Sequence, residues 1–305
     1  MWVRSAFLVV LLSIIAWAGI VDDARTALAQ DNLAGADSQL QSYKSQHGVD
    51  PEYLEALSWL ARAQLAARNY DQAYANARQV HLLSLQQMKG RKLDAEPHLP
   101  MALGAAYEVE ADVLSARNQN AKAVLLLKSA LQTYGNTSIA PRLQKNLNLL
   151  ILAGKPAPPL KSGEYFGPPP ASPAQLKGSP VLLFFWAHWC IDCKAEGPII
   201  TQLRSEFAPK GLAVVAPTQR YGYAAGGADA SPQQELQYIK QVWQHYYPGL
   251  QEVSVPVSQA NFKTYGASTT PTLVLINRSG HVSMYHPGAM AYADLRAEVE
   301  KAMQN

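Results

Sequence analysis

The only two cysteines of the chain sit in one stretch, Val-Leu-Leu-Phe-Phe-Trp-Ala-His-Trp-Cys-Ile-Asp-Cys, from Val181 to Cys193. An apolar run rich in Val and Phe has the pattern of a buried strand, and Lys194-Ala195-Glu196 beyond the second cysteine opens a helix. A thiol at such a strand-to-helix corner faces unpaired backbone N–H groups and the positive end of the helix dipole, and both favour a thiolate at Cys190. Cys193 follows about one turn later, so the two sulfurs can close a small ring that exchanges more readily than a structural staple. Redox exchange is the first reading, and three others stand beside it. Structural zinc would need a second Cys or His pair, and a c-type haem would need His where Lys194 stands. A purely structural disulfide would occupy an unusual place at this corner.

The N-terminal segment has one early cation, Arg4, an apolar run from Ala6 to Ala18, and then Ala27-Leu28-Ala29 ahead of Gln30. That order reads as a secretory signal over residues 1–29 with cleavage after Ala29, the alternative being an uncleaved inner-membrane anchor. Either way Arg4 before the run, with Asp22 and Asp23 after it, places the body of the protein outside the cytoplasm. The remaining length exceeds one typical domain, and an apolar content of 48% is enough for two cores. A net charge of +3 without long Lys/Arg blocks gives no footprint for nucleic acid.

Residues 30–153 read as helices. Asp50-Pro51 is an N-cap followed by proline at the first helical position, and Leu54, Leu57, Leu60, Ala61 and Leu65 recur at helical spacing. A second helix carries Ala73, Ala77 and Val80, and a similar pair follows about 50 residues later, with Ala111 and Leu114, then Ala123 and Leu127. Ala61 and Ala73, like Ala111 and Ala123, stand twelve apart, which resembles the tetratricopeptide repeat, although the Trp, Gly and closing Pro of that consensus are mostly missing. Residues 86–100 read as a loop or an extended helix end between the units, and Pro141 to Leu152 as a capping helix.

Gly154-Lys155-Pro156-Ala157-Pro158-Pro159 ends the helical pattern and reads as a stiff connector into a second domain, 154–305. There, strands are expected at 181–185, 212–216, 253–257, 272–277 and 281–285. Helices are expected at 193–207, 232–247 and 291–303. This is the order of a thioredoxin-type sheet. The predicted fold is thus α plus α/β, an antiparallel helical-repeat domain followed by a thioredoxin-like α/β/α sandwich. The long segment from Gln219 to Ser231, with two tyrosines and Gly226-Gly227, reads as a substrate-facing loop or as an inert excursion.

Residues 154–290 resemble the TlpA/ResA-like branch of the thioredoxin family. The resemblance rests on Gly154-Lys155-Pro156-Ala157-Pro158, on Phe185-Trp186-Ala187-x-Trp189-Cys190-x-x-Cys193-x-x-Glu196-x-Pro198, and on Tyr265-Gly266 to Thr270-Pro271-Thr272. It implies an extracytoplasmic or periplasmic thiol–disulfide oxidoreductase, usually a reductase, with no bound cofactor and no metal. Its partners would be protein thiols or disulfides and a membrane-bound redox protein. By the same resemblance Cys190 attacks and Cys193 resolves, Pro271 is the family's cis-proline, and the Thr270 backbone pairs with an extended substrate. Glu196 is the carboxylate near the thiols, and Trp189 forms the rim. The branch commonly has Thr or Ser where His188 stands and often Pro between the cysteines, where this chain has Ile191-Asp192. His188 reads equally as a surface residue or a modulator. The competing function is an adaptor: the helical domain binds a protein partner and the thioredoxin-like half only regulates docking.

Overall fold

The structure is a computed structural model and describes residues 19–171, 176 and 178–304. Seven helices come first: α1 (Ile20–Ala29), α2 (Leu33–His47), α3 (Pro51–Ala66), α4 (Tyr70–Gln87), α5 (His98–Ala116), α6 (Asn120–Tyr134) and α7 (Ala140–Ile151). Asp50 caps α3 by accepting the Tyr53 N–H at 2.8 Å. Helix α5 begins at His98, inside the segment expected to be a loop or an extended helix end, because Pro100 falls in the first turn, where its missing N–H costs nothing.

Three helix pairs, α1/α2, α3/α4 and α5/α6, fold back through one type of turn. After α1, α3 and α5 a non-glycine residue, Asp31, Arg68 or Asn118, takes a left-handed conformation with φ of 57°, 61° and 58°. In each case the next N–H reaches back five residues, Asn32 to Ala27, Asn69 to Gln64 and Gln119 to Leu114, at 3.0, 2.8 and 2.8 Å. These bonds satisfy carbonyls that the helix end would otherwise leave unpaired. The alanines twelve apart, Ala61 with Ala73 and Ala111 with Ala123, are all buried where paired helices approach. Helix α1 supplies Ile20, Ala24 and Ala27 to the same core, packed against α2 and α3. The small-residue triplet at 27–29 therefore lies inside a packed helix, while residues 1–18 lie outside the described residues. Among the described residues, no helix is long and apolar enough to cross a membrane.

The second half contains β1 (Tyr165–Phe166), β2 (Val181–Phe185), α8 (Ile191–Phe207), β3 (Ala213–Val215), α9 (Pro232–Tyr246), β4 (Val255–Pro256), α10 (Gln259–Tyr265), β5 (Thr272–Ile276), β6 (Val282–Pro287) and α11 (Tyr292–Gln304). A four-stranded sheet has the order β3-β2-β5-β6, with β2 parallel to β3 and antiparallel to β5. Every residue of β2 is buried, and its side chains alternate between two cores. Leu182 and Phe184 face α8, α9 and α11; Val181, Leu183 and Phe185 face Phe262 and Tyr265 of α10. The strand expected at 253–257 is reduced to two residues paired with β1, and single parallel bridges, Ser254 with Val215 and Val257 with Thr218, join it to the β3 side of the main sheet. Pro256 has no N–H to continue a ladder, although its carbonyl accepts from Thr218 at 2.9 Å.

The two halves are fused rather than tethered. Gly154 and Val282 exchange backbone bonds with the β6 edge and the proline-rich segment, Gly154 N–H to Val282 O and Val282 N–H to Lys155 O, both at 2.8 Å. Leu152, at the end of α7, belongs to the core under β2 with Phe185, Phe262 and Tyr265. Gly266 ends α10 at φ +61°, and a Cβ there would stand 2.3 Å from the Lys145 backbone nitrogen of α7. Behind this contact, Glu108 of α5 binds Lys145 at 2.8 Å, Arg142 at 3.1 Å and Arg62 at 3.5 Å. Burial opposes the Glu108 charge, but Arg142 and Lys145 outweigh it and hold the carboxyl below the ordinary range.

Candidate active site

Cys190 and Cys193 form a disulfide. Cys190 is the N-cap of α8, and its sulfur accepts the Cys193 backbone N–H at 3.0 Å. The position thus gives the sulfur one helix-end donor together with the dipole, the environment that stabilises a thiolate. Cys193 is fully buried; Cys190 keeps 3% of its surface and adjoins Trp189 and Ile191, which are 46% and 79% exposed. Of the two cysteines, Cys190 is therefore the less deeply buried. Asp192, between them in sequence, is exposed.

The loop ahead of β5 comes up against the pair. The Thr270–Pro271 peptide is cis, and the Thr270 carbonyl oxygen lies 3.3 Å from the Cys190 sulfur. Thr270 Oγ1 is buried without a hydrogen-bond partner among the described residues. Trp189, Cys190, Thr270 and Pro271, far apart in sequence, thus meet at one end of the sheet. Glu196 stands one turn beyond Cys193 on α8, on the same buried face, and accepts the Met290 N–H at 3.3 Å.

Burial pushes the Glu196 carboxyl from 4.5 up to about 7, with the Met290 N–H pulling weakly the other way. The fold thus favours the neutral acid. Its contribution to stability is present in full below the ordinary carboxylate pKa and is lost as the pH rises through about 7. Glu196→Gln is expected to remove that loss: in urea unfolding the variant gains on the parent by on the order of 2 kcal/mol between pH 4 and pH 8.5. Parallel pH profiles for the two proteins would refute the assignment.

His188 is not a surface residue. It is 1% exposed, its Nε2 is 3.2 Å from Glu235 Oε1, and the rings of Tyr221, Tyr223 and Tyr238 surround it. Burial lowers its pKa, and Glu235 opposes that shift less strongly. Sequence reasoning missed Glu235, which reads as an ordinary acidic residue in the first turn of α9; only the chain reversal over 219–231 brings it to His188. Trp186 is buried with Trp243 and Tyr247, its indole N–H donating to the Ala216 carbonyl.

A helix-capping Cys-x-x-Cys beside a cis-proline loop, on a mixed sheet flanked by helices, defines a thioredoxin-like domain. Accordingly, a family model described as a thioredoxin-like domain matches residues 171–303. A thiol:disulfide interchange protein DsbE of Xylella fastidiosa is 31% identical over 140 residues, covering 46% of this chain and 63% of that protein. A thiol-disulfide oxidoreductase ResA of Bacillus thuringiensis is 27% identical over 126 residues, 41% of this chain and 65% of the relative. Among solved structures, a thioredoxin-family thiol:disulfide interchange protein of Chlorobium tepidum matches with a TM-score of 0.34 at 22% identity, covering 49% of this chain and 98% of its own. The chain is thus distantly related to thioredoxin-family oxidoreductases of the TlpA, ResA and DsbE kind, and it spans less than two thirds of the length of these curated relatives.

Proposed function

We propose that the protein is an extracytoplasmic thiol–disulfide oxidoreductase that acts on protein disulfides, with Cys190 as the attacking thiol and Cys193 as the resolving thiol. The observation that carries this reading is the Cys190 sulfur at the N-cap of α8 and against the Thr270 carbonyl, in the less deeply buried of the two cysteines. A substrate strand laid along the Thr270 backbone would present its disulfide to Cys190. Glu196, neutral or charged near pH 7, is suited to take the proton of Cys193 as that thiol attacks.

Reduction of substrates is the favoured direction. Among the described contacts, the Cys190 sulfur receives one backbone N–H and no cationic side chain, so its thiolate lacks the added stabilisation of a strongly oxidising pair. Equilibration with dithiothreitol buffers, with free thiols counted, is expected to give a potential near roughly −270 mV; a value near roughly −120 mV would make the protein an oxidant. The electron donor is proposed to be a membrane-bound redox protein.

The helical half is proposed to be tetratricopeptide-like, because three hairpins, α1/α2, α3/α4 and α5/α6, share one turn geometry. This bears on export. Cleavage after Ala29 would remove the first helix of the first hairpin, including Ile20, whose burial contributes about 2 kcal/mol. We therefore place the processing boundary at or before Gly19, where Ala16-Trp17-Ala18 supplies the small-x-small pattern. Intact mass of the exported protein is expected to include residues 19–29, and a mature chain starting at Gln30 would contradict this.

A further inference from the structure

A helix end leaves its last carbonyls without intrahelical donors, and at the C-terminus of α10 donors come from outside the helix. Asn148 of α7 directs Nδ2 at the Thr264 carbonyl at 3.5 Å. The Tyr285 hydroxyl of β6 donates to the Tyr265 carbonyl at 2.8 Å and stands 3.3 Å from that of Gly266. A side-chain hydrogen bond joins Tyr285 to Asn148, and Asn148 Oδ1 in turn accepts from Gln144 Nε2 at 2.8 Å. Asn148 is buried, so its bonds face little competition from water.

The path from this clamp to the redox pair is short. Ala267 N–H closes the end of α10 on Phe262 O at 2.9 Å, and Thr270 comes three residues later. At the far end of the loop Thr272 Oγ1 donates to Thr269 O at 2.6 Å, and Gly288 N–H to Pro271 O at 2.8 Å. The loop is thus held at both ends, and between them the Thr270 carbonyl lies 3.3 Å from the Cys190 sulfur. In the reduced protein a Cys190 S–H can donate to this carbonyl, whereas a thiolate would meet its negative end, and both effects oppose ionisation. They act against the Cys193 N–H and the helix dipole, and a thiolate restrained in this way keeps more of its nucleophilicity.

We propose that Asn148 and Tyr285 are positioning residues that hold the Thr270 carbonyl against Cys190, so that the helical half takes part in setting the reactivity of the attacking thiol. The proposal rests on the exchange reading above and adds how that site is governed: through the seam between α7 and α10, where Gly266 lies against the Lys145 backbone. Without the Asn148 amide or the Tyr285 hydroxyl the end of α10 loses a donor from outside the helix, and the loop beyond it loses one of its two fixed ends.

The test uses the full chain in a Cys193→Ser background, so that iodoacetamide reads Cys190 alone, and follows the alkylation rate against pH. Asn148→Ala and Tyr285→Phe each remove a donor without adding bulk. Both should move the midpoint to lower pH and, below the parent's midpoint, raise the rate about threefold to tenfold, the worth of one hydrogen bond. The titratable side chains around Cys190 are Asp192, Lys194 and Glu196 on α8, His188 ahead of it and Tyr221 beside Trp189; all are common to these proteins, and 267–271 and 288–291 carry none. Tyr43→Phe removes a hydroxyl bond of 2.8 Å to Asp50 elsewhere in the helical half and should leave the profile unchanged. An unchanged midpoint in both variants would overturn the proposal, and so would an equal shift in Tyr43→Phe, which would mean general loosening. A shift in only one of the two would overturn the role given to the other residue. Failure of the parent to reduce a disulfide-linked peptide would instead overturn the exchange reading, and the alkylation profile would still decide separately whether the seam governs Cys190.

Discussion

Cys193→Ser is expected to accumulate a covalent complex with a protein disulfide, and Cys190→Ser to form none. In the proposed exchange, the Cys190 thiolate of the reduced protein would attack one substrate sulfur, the substrate S–S bond would break, and its other sulfur would leave as a thiolate that takes up a proton. Cys193 then attacks the Cys190 sulfur of the mixed disulfide, surrendering its own proton, and the second substrate thiol departs as the internal disulfide closes. Both electrons that reduce the substrate come from the cysteine pair. Cys190 keeps 3% of its surface and Cys193 none, and among the described contacts the Cys190 sulfur receives the helix-end N–H, which supports this order of attack. Both variants should lose turnover to the level of the buffer thiol alone, and nonreducing gels separate them by the trapped adduct. A stable adduct on Cys190→Ser would reverse the roles, and unimpaired turnover in either would remove the disulfide from the mechanism.

Gly266→Val is the second large expected effect. The backbone there is left-handed, which costs a branched residue on the order of 1–2 kcal/mol, and the new Cβ would press on the Lys145 backbone. Main chain in a packed helix cannot swing aside as a side-chain tip can, so overpacking adds about 1–3 kcal/mol. A total loss near 3 kcal/mol is expected in denaturant unfolding. Gly226→Val isolates the contact: Gly226 is left-handed as well, with φ of 66° and ψ of 12°, but nothing lies within 4 Å of a Cβ built there. It should show the backbone cost alone. Equal losses at the two positions would mean that α7 yields to α10 without penalty.

Much of the fold was legible because its signals are local. The apolar run at 181–185 declared a central strand, Asp50-Pro51 declared a helix start, and Cys190 and Cys193 lay three residues apart at the turn between elements. Cys190 and Thr270 came together through the family resemblance, since eighty residues separate them. What stayed hidden depends on chain reversal. Glu235 is one of several carboxylates with nothing in its neighbours to mark it, and His188 follows a strand whose alternation ends just before it. The strand expected at 253–257 survives as Val255–Pro256 with single bridges at Ser254 and Val257, a ladder that Pro256 interrupts because it has no N–H to donate. The proline-rich connector read as a spacer because composition does not reveal that Lys155 accepts from β6.

The lodging of Leu152 beneath β2 also sets a timetable for synthesis. A ribosome completes α7 long before Phe262, Tyr265 and the strands that cover Leu152 exist, so the early half must wait with that apolar end uncovered. Maturation of the redox centre is then a late event that consumes a surface prepared by the first half. A nascent chain halted before Gln259 would hold both cysteines with neither the Thr270–Pro271 loop that flanks them nor α10, the helix that seals the junction. Such a chain is where premature oxidation or a holding chaperone would act.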